Sequence, residues 1–161
     1  MLEIKIRNVK EEDFIDIMHF ATNCAPIPLE RDSIYHDLTR YFATTCFVAE
    51  KEGKMAGFIL GWISQVNNTI AYIHNICVDP DFRRKKIGID LYNRFIKVVR
   101  DKGVKKIYLI INPGNKASSN FFQGQDFKIS EEGEEIIING NRAVKDYNGP
   151  GQHMIVMYKE M

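Results

Sequence analysis

The sequence predicts a mixed α/β fold that forms a single domain over residues 1–161. Stretches in which apolar and polar residues alternate indicate strands, and stretches with apolar residues at helical spacing indicate helices. Both kinds recur along the whole chain, with no repeat, low-complexity tract or linker between them. A chain of 161 residues is also long enough to bury a core of its own.

The first half predicts a strand, two helices and three further strands. A strand is predicted for "LEIKIRNV", which alternates, and a helix for "EEDFIDIMHFATNC". That helix ends at "APIP", and a second one follows in "LERDSIYHDLTRYF", with Leu29, Ile34, Leu38 and either Tyr41 or Phe42 facing inward. Two strands joined by a turn at Glu52-Gly53 are predicted for "TCFVAEKEGKMAGFILGWISQ", and a third strand for "TIAYIHNICVD".

The second half predicts a long helix, a strand, a short helix and two closing strands. The long helix covers residues 87–102, and Gly103 is placed as its C-terminal cap. The segment "KKIYLIIN" is almost uniformly apolar after its lysines, which is typical of a strand covered on both faces. A short helix begins at Asn115, and Asn139-Gly140 is a hairpin signal. The predicted order is β-α-α-β-β-β-α-β-α-β-β.

Composition excludes several classes of protein. The 22 basic and 21 acidic side chains give a net charge of +1, which indicates no general affinity for nucleic acid or membranes. No apolar run reaches the roughly 18 residues of a membrane span, and the first residues do not resemble a signal peptide. The histidines show no metal-ligand spacing, so we predict no metal. Three widely spaced cysteines predict reduced, buried thiols in a cytoplasmic protein.

Four consecutive cations, residues 83–86, stand where the long helix begins. A cation at this positive end of the helix dipole costs roughly 0.3–1 kcal/mol. The unpaired N–H groups of a helix start also bind anions, and a polyphosphate would reverse this cost. Gly88 would let such a guest approach the backbone closely. The alternative is a solvated basic surface, partly neutralised by Asp79 and Asp81.

The stretch "VDPDFRRKKIGIDL" resembles the acetyl-CoA signature of the GNAT (Gcn5-related N-acetyltransferase) superfamily, V-x-P-x-[YF]-[RQ]-x-x-G-x-G-x-x-L. The matching positions are Val78, Pro80, Phe82, Arg83, Gly88 and Leu91. Lys86 stands where the family usually has its first glycine. Its side chain would either crowd the pyrophosphate or add a contact to the phosphates.

The stretch "NKASSNFFQGQDF" resembles the second signature of the same family, N-x-x-[AS]-x-x-[FLY]-[YF]-x-x-x-G-F. Asp126 replaces the usual glycine. The resemblance implies a mostly antiparallel central sheet flanked by helices on both faces, with a splayed parallel strand pair that holds acetyl-CoA (coenzyme A). The cofactor-binding residues that it implies are Ile76, Cys77, Val78, Arg83, Arg84, Lys85, Lys86, Ile87, Gly88, Ile89, Asn115, Ser118 and Phe122.

The resemblance also implies a reaction, the direct attack of a neutral primary amine on the thioester in a ternary complex. This reaction needs a base, donors for the oxyanion and an acid for the thiolate. The family's usual acid is a tyrosine, but Phe122 occupies that position and cannot donate a proton. The segment "DYNGPGQHMIVM" resembles the ending of the ribosomal-protein and protein N-terminal acetyltransferases, which makes Tyr147 the candidate acid. The alternative for Tyr147 is an aromatic residue in a glycine-rich loop.

Two residues of the predicted strand "TIAYIHNICVD" are candidates for the base. Tyr72 lies eleven residues before Arg83, at a position where several N-terminal acetyltransferases have a tyrosine that acts through an ordered water. The family's other base position corresponds to Ile110, which has no acid–base chemistry. His74 lies on the same face as Tyr72 if no bulge intervenes, and histidine commonly serves as a base near neutral pH. A packing role among apolar neighbours is the alternative for His74.

Three functions follow from these observations. The leading one is an acetyltransferase acting on a primary amine, either a small molecule or a protein N-terminus. The second is an acyl-CoA-binding regulatory module with little or no turnover, which Phe122 and Ile110 favour. Nucleic-acid binding is disfavoured by the near-neutral charge. We expect a monomer or a homodimer, since "HMIVMY" suits either a pairing edge or a buried terminal strand.

Overall fold

The structure, a computed structural model, describes residues 3–83 and 86–161 of the chain. The chain divides into two compact units, Met1–Val104 and Lys105–Met161. The single domain expected for residues 1–161 stays a prediction. In the described part of the chain, no helix has the length and apolar character needed to cross a membrane.

The first unit is an antiparallel sheet with three α-helices. Its strands follow the order β1-β2-β3-β4, and each neighbouring pair is antiparallel. The elements are β1 (Lys5–Asn8), α1 (Asp13–Ala21), α2 (Asp32–Tyr41), β2 (Phe47–Lys51), β3 (Lys54–Ile63), β4 (Ile70–Val78) and α3 (Ile87–Asp101), with short 3₁₀ helices at Ala43–Thr45 and Pro80–Phe82. The predicted turn at Glu52-Gly53 is confirmed, because both residues have the positive φ that a tight hairpin turn requires.

Helices cover both faces of this sheet. Phe58 and Leu60 of β3 belong to a buried core shared with α1 and α2. The alternating residues Gly57 and Gly61 face α3 instead. A Cβ on Gly61 would lie 2.6 Å from the ring of Phe95, so the missing side chain lets α3 approach the strand. The predicted α/β fold, with antiparallel pairing and helices on both faces, is confirmed here.

The inward face of α2 differs from the prediction. The buried residues are Tyr35, Leu38 and Thr39. The predicted inward residues Ile34, Leu29 and Tyr41 are 39%, 60% and 69% exposed. Leu29 is exposed because the helix begins only at Asp32, beyond it in the chain. A tyrosine can take the inward position because its hydroxyl accepts a hydrogen bond from the N–H of residue 30, at 3.2 Å.

A disulfide joins Cys24, in the segment after α1, to Cys77 in β4. The expectation of reduced thiols is therefore wrong for this pair. The sequence gives no sign of it, because the two residues are 53 positions apart and meet only when this segment packs on β4. Cys46 is a free, buried thiol as expected, and burial raises its pKa to about 12. The cysteine argument for a cytoplasmic location no longer holds.

The second unit contains the remaining five strands and one helix. The elements are β5 (Lys106–Ile111), α4 (Lys116–Gln123), β6 (Lys128–Ile129), β7 (Glu135–Ile138), β8 (Asn141–Val144) and β9 (Ile155–Glu160). Four strands therefore follow α4, where a hairpin and one closing strand were predicted. The sequence does not signal β6, because only two residues form it. The hairpin at Asn139-Gly140 is confirmed and supplies both β7 and β8.

Strand β9 pairs antiparallel with β5 on one side and with β6 on the other. Both of its edges are therefore used within the unit, and the buried-strand interpretation of "HMIVMY" fits better than a pairing edge. The oligomeric state stays a prediction, as does the splayed parallel strand pair.

We expect Cys24→Ser to lower the free energy of unfolding. A cross-link that closes a loop of 53 residues restricts the unfolded chain and stabilises the fold by about 4 kcal/mol. Urea unfolding of the oxidised wild type, the reduced wild type and Cys24→Ser measures this, and the last two should coincide. In the Cys24→Ser/Cys77→Ser double variant, added reductant should change nothing. Equal stability of oxidised and reduced wild type would show that the two sulfurs are not bonded.

Candidate functional site

The segment between β4 and α3 carries the first motif. It turns through the 3₁₀ helix Pro80–Phe82, in which the carboxylate of Asp79 accepts a hydrogen bond from the N–H of Asp81 at 2.8 Å. Arg83 follows this turn, and both Arg83 and Lys86 are exposed to solvent. The predicted contributions of Arg84 and Lys85 lie outside the described residues.

Lys86 adopts a left-handed backbone conformation, with φ of 63° and ψ of 4°. This region costs a residue with a Cβ roughly 1–2 kcal/mol and is the usual reason for glycine. Asp126, the other position where the motif normally has glycine, has φ of 64°. Both departures from the motif therefore keep the backbone shape that glycine would provide.

The N-terminus of α3 has the character of an anion site. Its N-cap residue, Lys86, makes no side-chain capping hydrogen bond. The first-turn N–H groups, at Ile87, Gly88 and Ile89, have no acceptors within the helix. Ile87 is buried below β3, which fixes the start of the helix in place. These N–H groups and the lysine could hold a phosphate.

A β-bulge in β4 determines what that strand presents. Gly61 of β3 pairs with Ile73, but Leu60, the preceding residue of β3, pairs with Asn75. His74 is therefore the extra residue of the bulge. Its ring nevertheless lies beside that of Tyr72, with ring centroids 6.3 Å apart. The sequence placed Tyr72 and His74 on one face only if no bulge lay between them. A bulge is present, and the two side chains nevertheless lie on one face.

Trp62 of β3 completes an aromatic cluster with these two residues. Its ring centroid lies 5.0 Å from that of Tyr72 and 5.3 Å from that of His74. Trp62 itself packs against the core shared with α1 and α2. Trp62 therefore packs on the core and also contacts both candidate bases. Sequence reasoning did not place it there.

The bulge also turns Asn75 and Cys77 toward the face of α1 and α2. Asn75 pairs with Leu60 and Cys77 with Phe58, both of which point to that core. Asn75 is only 8% exposed, and in the described part of the chain its Nδ2 has no hydrogen-bond partner. An unpaired buried donor costs about 1–3 kcal/mol. Ile76 pairs with Ile59, on the opposite face.

Glu30 reaches His74 from the segment between α1 and α2. The Oε1 atom of Glu30 lies 2.9 Å from Nε2 of His74, and both side chains are about one quarter exposed. Sequence reasoning gave Glu30 no role. The available signal was weak: it is the only acidic residue of "NCAPIPLE", and it lies 44 positions from the histidine.

In the second unit, Tyr147 lies at the rim of a cavity of about 320 Å³. The residues that line this cavity are Tyr108, Leu109, Ile110, Glu132, Gly133, Val144, Tyr147 and Val156. One face of β5 lines the cavity, so the expectation of a strand covered on both faces is wrong. Tyr108 and Ile110 are partly accessible on this face, whereas the side chains of Ile107 and Ile111 are buried on the other face.

The loop that carries Tyr147 is held by hydrogen bonds from its neighbour Asp146. The N–H of Asp146 donates to Nδ1 of His153 at 2.9 Å, and its carboxylate accepts from the N–H of Gly151 at 2.7 Å. Tyr147 is 47% exposed. This fixed backbone with an accessible phenol is compatible with an acid, but the role of Tyr147 stays a prediction.

Helix α4 carries the second motif. Asn115 caps it, because its Oδ1 accepts a hydrogen bond from the N–H of Ser118 at 3.1 Å. Asn115 is 8% exposed. Phe122 is buried and packs edge-on against Phe121 and Phe127. These three motif residues have structural roles, and their contacts with a cofactor stay predictions.

Across residues 3–83 and 86–161, no three His, Cys, Asp or Glu side chains are close enough to hold a metal ion. The candidate chemistry therefore lies in two places. The first unit brings together Tyr72, His74, Trp62 and Glu30, and the second unit places Tyr147 beside an apolar cavity.

Comparison with known proteins identifies relatives. The model of the acetyltransferase (GNAT) family matches residues 12–127, which is more than half of the chain. An uncharacterized N-acetyltransferase of Methanocaldococcus jannaschii is 35% identical over 103 residues, which is 62% of this chain and 44% of that protein. The chain thus spans less than half of that relative.

Two solved structures show the same fold. One is the diaminobutyrate acetyltransferase of Paenibacillus lautus in complex with L-2,4-diaminobutyric acid and coenzyme A. It superposes with a TM-score of 0.80 at 20% sequence identity, and the match covers 99% of this chain and 96% of that chain. The ribosomal-protein-S18-alanine N-acetyltransferase of Escherichia coli has a TM-score of 0.72 at 20% identity, covering 98% and 94%.

Lys86→Gly should raise the free energy of unfolding by about 1 kcal/mol, because glycine adopts the left-handed conformation without steric cost. Lys86→Ala is the matched control: it removes the same charge but keeps the Cβ, so it should give no such gain. Urea unfolding measures both variants. Equal stabilisation by alanine and glycine would assign the effect to charge and not to the backbone.

Proposed function

The chain belongs to the acetyltransferase (GNAT) family, for which acetyl-CoA is the cofactor, and from this premise we propose that it transfers the acetyl group to a primary amine. The cluster of Tyr72, His74 and Trp62 carries the proposal. Tyr72 and His74 lie on β4, the strand that runs into the acetyl-CoA motif, and Trp62 of β3 adds a second aromatic face beside them.

The acetyl-CoA site we propose begins at the N-terminus of α3. The N–H groups of residues 87–89 and the ammonium of Lys86 would bind the pyrophosphate, together with Arg83. The backbone of Ile76, Cys77 and Val78 would pair with the pantetheine arm. Arg83 and Lys86 are both exposed to solvent, which supports this proposal because their cations can then reach phosphate oxygens.

The acceptor would bind beside the aromatic cluster. A primary amine arrives as an ammonium ion, which aromatic faces attract. Trp62 and Tyr72 offer such faces, and both are partly exposed. His74 then takes one proton from the ammonium, which frees the lone pair of the nitrogen for attack. Tyr72 could act with His74, through a water molecule.

The chemical step follows from these roles. The amine nitrogen bonds to the thioester carbonyl carbon, and the tetrahedral intermediate collapses with cleavage of the C–S bond. We propose that the Tyr147 hydroxyl gives its proton to the departing thiolate. The products are the amide and CoA as the thiol. As the intermediate collapses, the second proton of the ammonium nitrogen passes to solvent, and the phenolate of Tyr147 takes a proton back from solvent.

The acceptor class is a primary amine on a small molecule or a protein N-terminus. The relatives named above are described with L-2,4-diaminobutyric acid and with a ribosomal protein alanine. Both acceptors have a primary amine, and the aromatic cluster offers no feature that selects between them. A cytoplasmic location stays a prediction.

A CoA-binding regulatory module is the second candidate. Two observations favour it: Phe122, at the family's usual acid position, is a packed core residue, and Ile110, at a usual base position, forms an apolar cavity wall. Such a module would bind acetyl-CoA without releasing CoA.

Release of CoA from acetyl-CoA tests the proposed activity, with diamino acids, polyamines and peptides of different N-termini as acceptors. We expect acceptor-dependent release in the wild type. His74→Ala should lower kcat/KM by roughly 10²- to 10⁴-fold, the usual contribution of a general base. His36→Ala is the matched control, because His36 is also partnered by a glutamate but lies in α2. No release with any acceptor, while acetyl-CoA still raises Tm, would favour the regulatory module.

Tyr147→Phe tests the proposed acid separately. Because only the hydroxyl is lost, kcat should fall by roughly 10²-fold, whereas KM for acetyl-CoA should change little. Tyr41→Phe, which removes the hydroxyl of another exposed tyrosine, should keep wild-type kcat. An unchanged kcat in Tyr147→Phe would make Tyr147 a loop residue without a catalytic role.

A further inference from the structure

The contact between Glu30 and His74 has a defined proton arrangement. An ionised carboxylate can only accept hydrogen bonds, so the 2.9 Å contact places the proton on Nε2 of the imidazole. In the neutral ring, the lone pair is then on Nδ1. The ring has one orientation in which Nε2 faces Glu30, and Nδ1 consequently points away from the carboxylate.

The segment that carries Glu30 is held in place from two sides. The N–H of Glu30 donates to the hydroxyl of Tyr35, which is 1% exposed and therefore fixed in the core. Toward the other end of the segment, Cys24 is bonded to Cys77, three residues after His74 on the same strand. Two contacts therefore join this segment to strand β4: the bond between Cys24 and Cys77, and the contact between Glu30 and His74. A carboxylate on such a segment can hold a neighbouring ring in a fixed direction.

We propose that Glu30 is a positioning residue, which holds the imidazole of His74 with Nδ1 directed to the acceptor ammonium. This inference rests on the proposed function, because it gives the base of that reaction its tautomer and orientation. Glu30 itself takes no proton from the acceptor. In the described part of the chain, the titratable groups that face His74 are Glu30 and Tyr72, and β3 contributes Trp62, which does not titrate.

The contact should also favour the step that follows proton transfer. When Nδ1 has taken a proton, the imidazolium lies 2.9 Å from a carboxylate in a partly exposed site. The hydrogen bond then becomes charge-assisted on both sides and gains strength. Its contribution is thus larger after proton transfer than before, which is the condition for an effect on kcat.

Glu30→Gln, which keeps the shape of the side chain and removes its charge, tests the role of Glu30. We expect kcat to fall about 10- to 100-fold, the value of one hydrogen bond to a charged group, with KM for acetyl-CoA unchanged. His74→Gln should lower kcat further, and the Glu30→Gln/His74→Gln double variant should equal His74→Gln alone. The matched control is Glu11→Gln, because Glu11 makes the same 2.9 Å contact with Nε2 of His36.

Proton NMR provides a readout that does not depend on activity. The wild type should show a slowly exchanging Nε2–H resonance of His74 that is absent in Glu30→Ala. If this resonance is present but no amine is acetylated, the positioning contact stands and the proposed function fails. If the wild type is active but the resonance is absent, or if the losses in Glu30→Gln and His74→Gln multiply, Glu30 does not act through His74. The proposed function would then stand without it.

Discussion

One extra residue in β4 is the constraint on which the candidate acceptor site depends. Because His74 has no partner position on β3, the residues before and after it change faces relative to a regular strand. Tyr72, His74 and Cys77 consequently all lie toward α1 and α2. A regular strand would have put His74 and Cys77 on opposite faces, and the segment from α1 to α2 could then not contact both.

The two motif glycines that this chain lacks show what a motif encodes. A motif names a residue type, but the fold requires the backbone conformation. Lys86 and Asp126 both have φ near 63°. Aspartate tolerates this region better than most residues, since its short polar side chain can bond locally. Lysine has no such compensation, so the left-handed conformation at Lys86 is a cost that glycine would avoid.

Local pattern predicted most of the fold. The strands and helices of the first unit, the two hairpin turns and Gly103 after α3, with φ of 85°, are set by residues close in sequence. Local pattern did not predict the buried face of α2, because tertiary contacts bury Tyr35 there. It also did not predict β6, because this strand has only two residues. Of the site, Tyr72 could be proposed from the family resemblance, and His74 because it lies two residues further along the same strand. Glu30, Trp62 and the Cys24–Cys77 pair could not, since their contacts cross 44, 12 and 53 positions.

These long-range contacts converge on a single element. The segment after α1 contains both Cys24, which is bonded to Cys77 of β4, and Glu30, which contacts His74. The disulfide and the partner of the candidate base therefore lie on the same piece of chain. The disulfide restricts the conformations of the chain, whereas the 2.9 Å hydrogen bond from His74 to Glu30 depends on the orientation of the imidazole ring. Both contacts need His74 and Cys77 on the same face of β4, and the bulge provides this arrangement. The disulfide and the contact between Glu30 and His74 therefore both depend on the one extra residue of the strand.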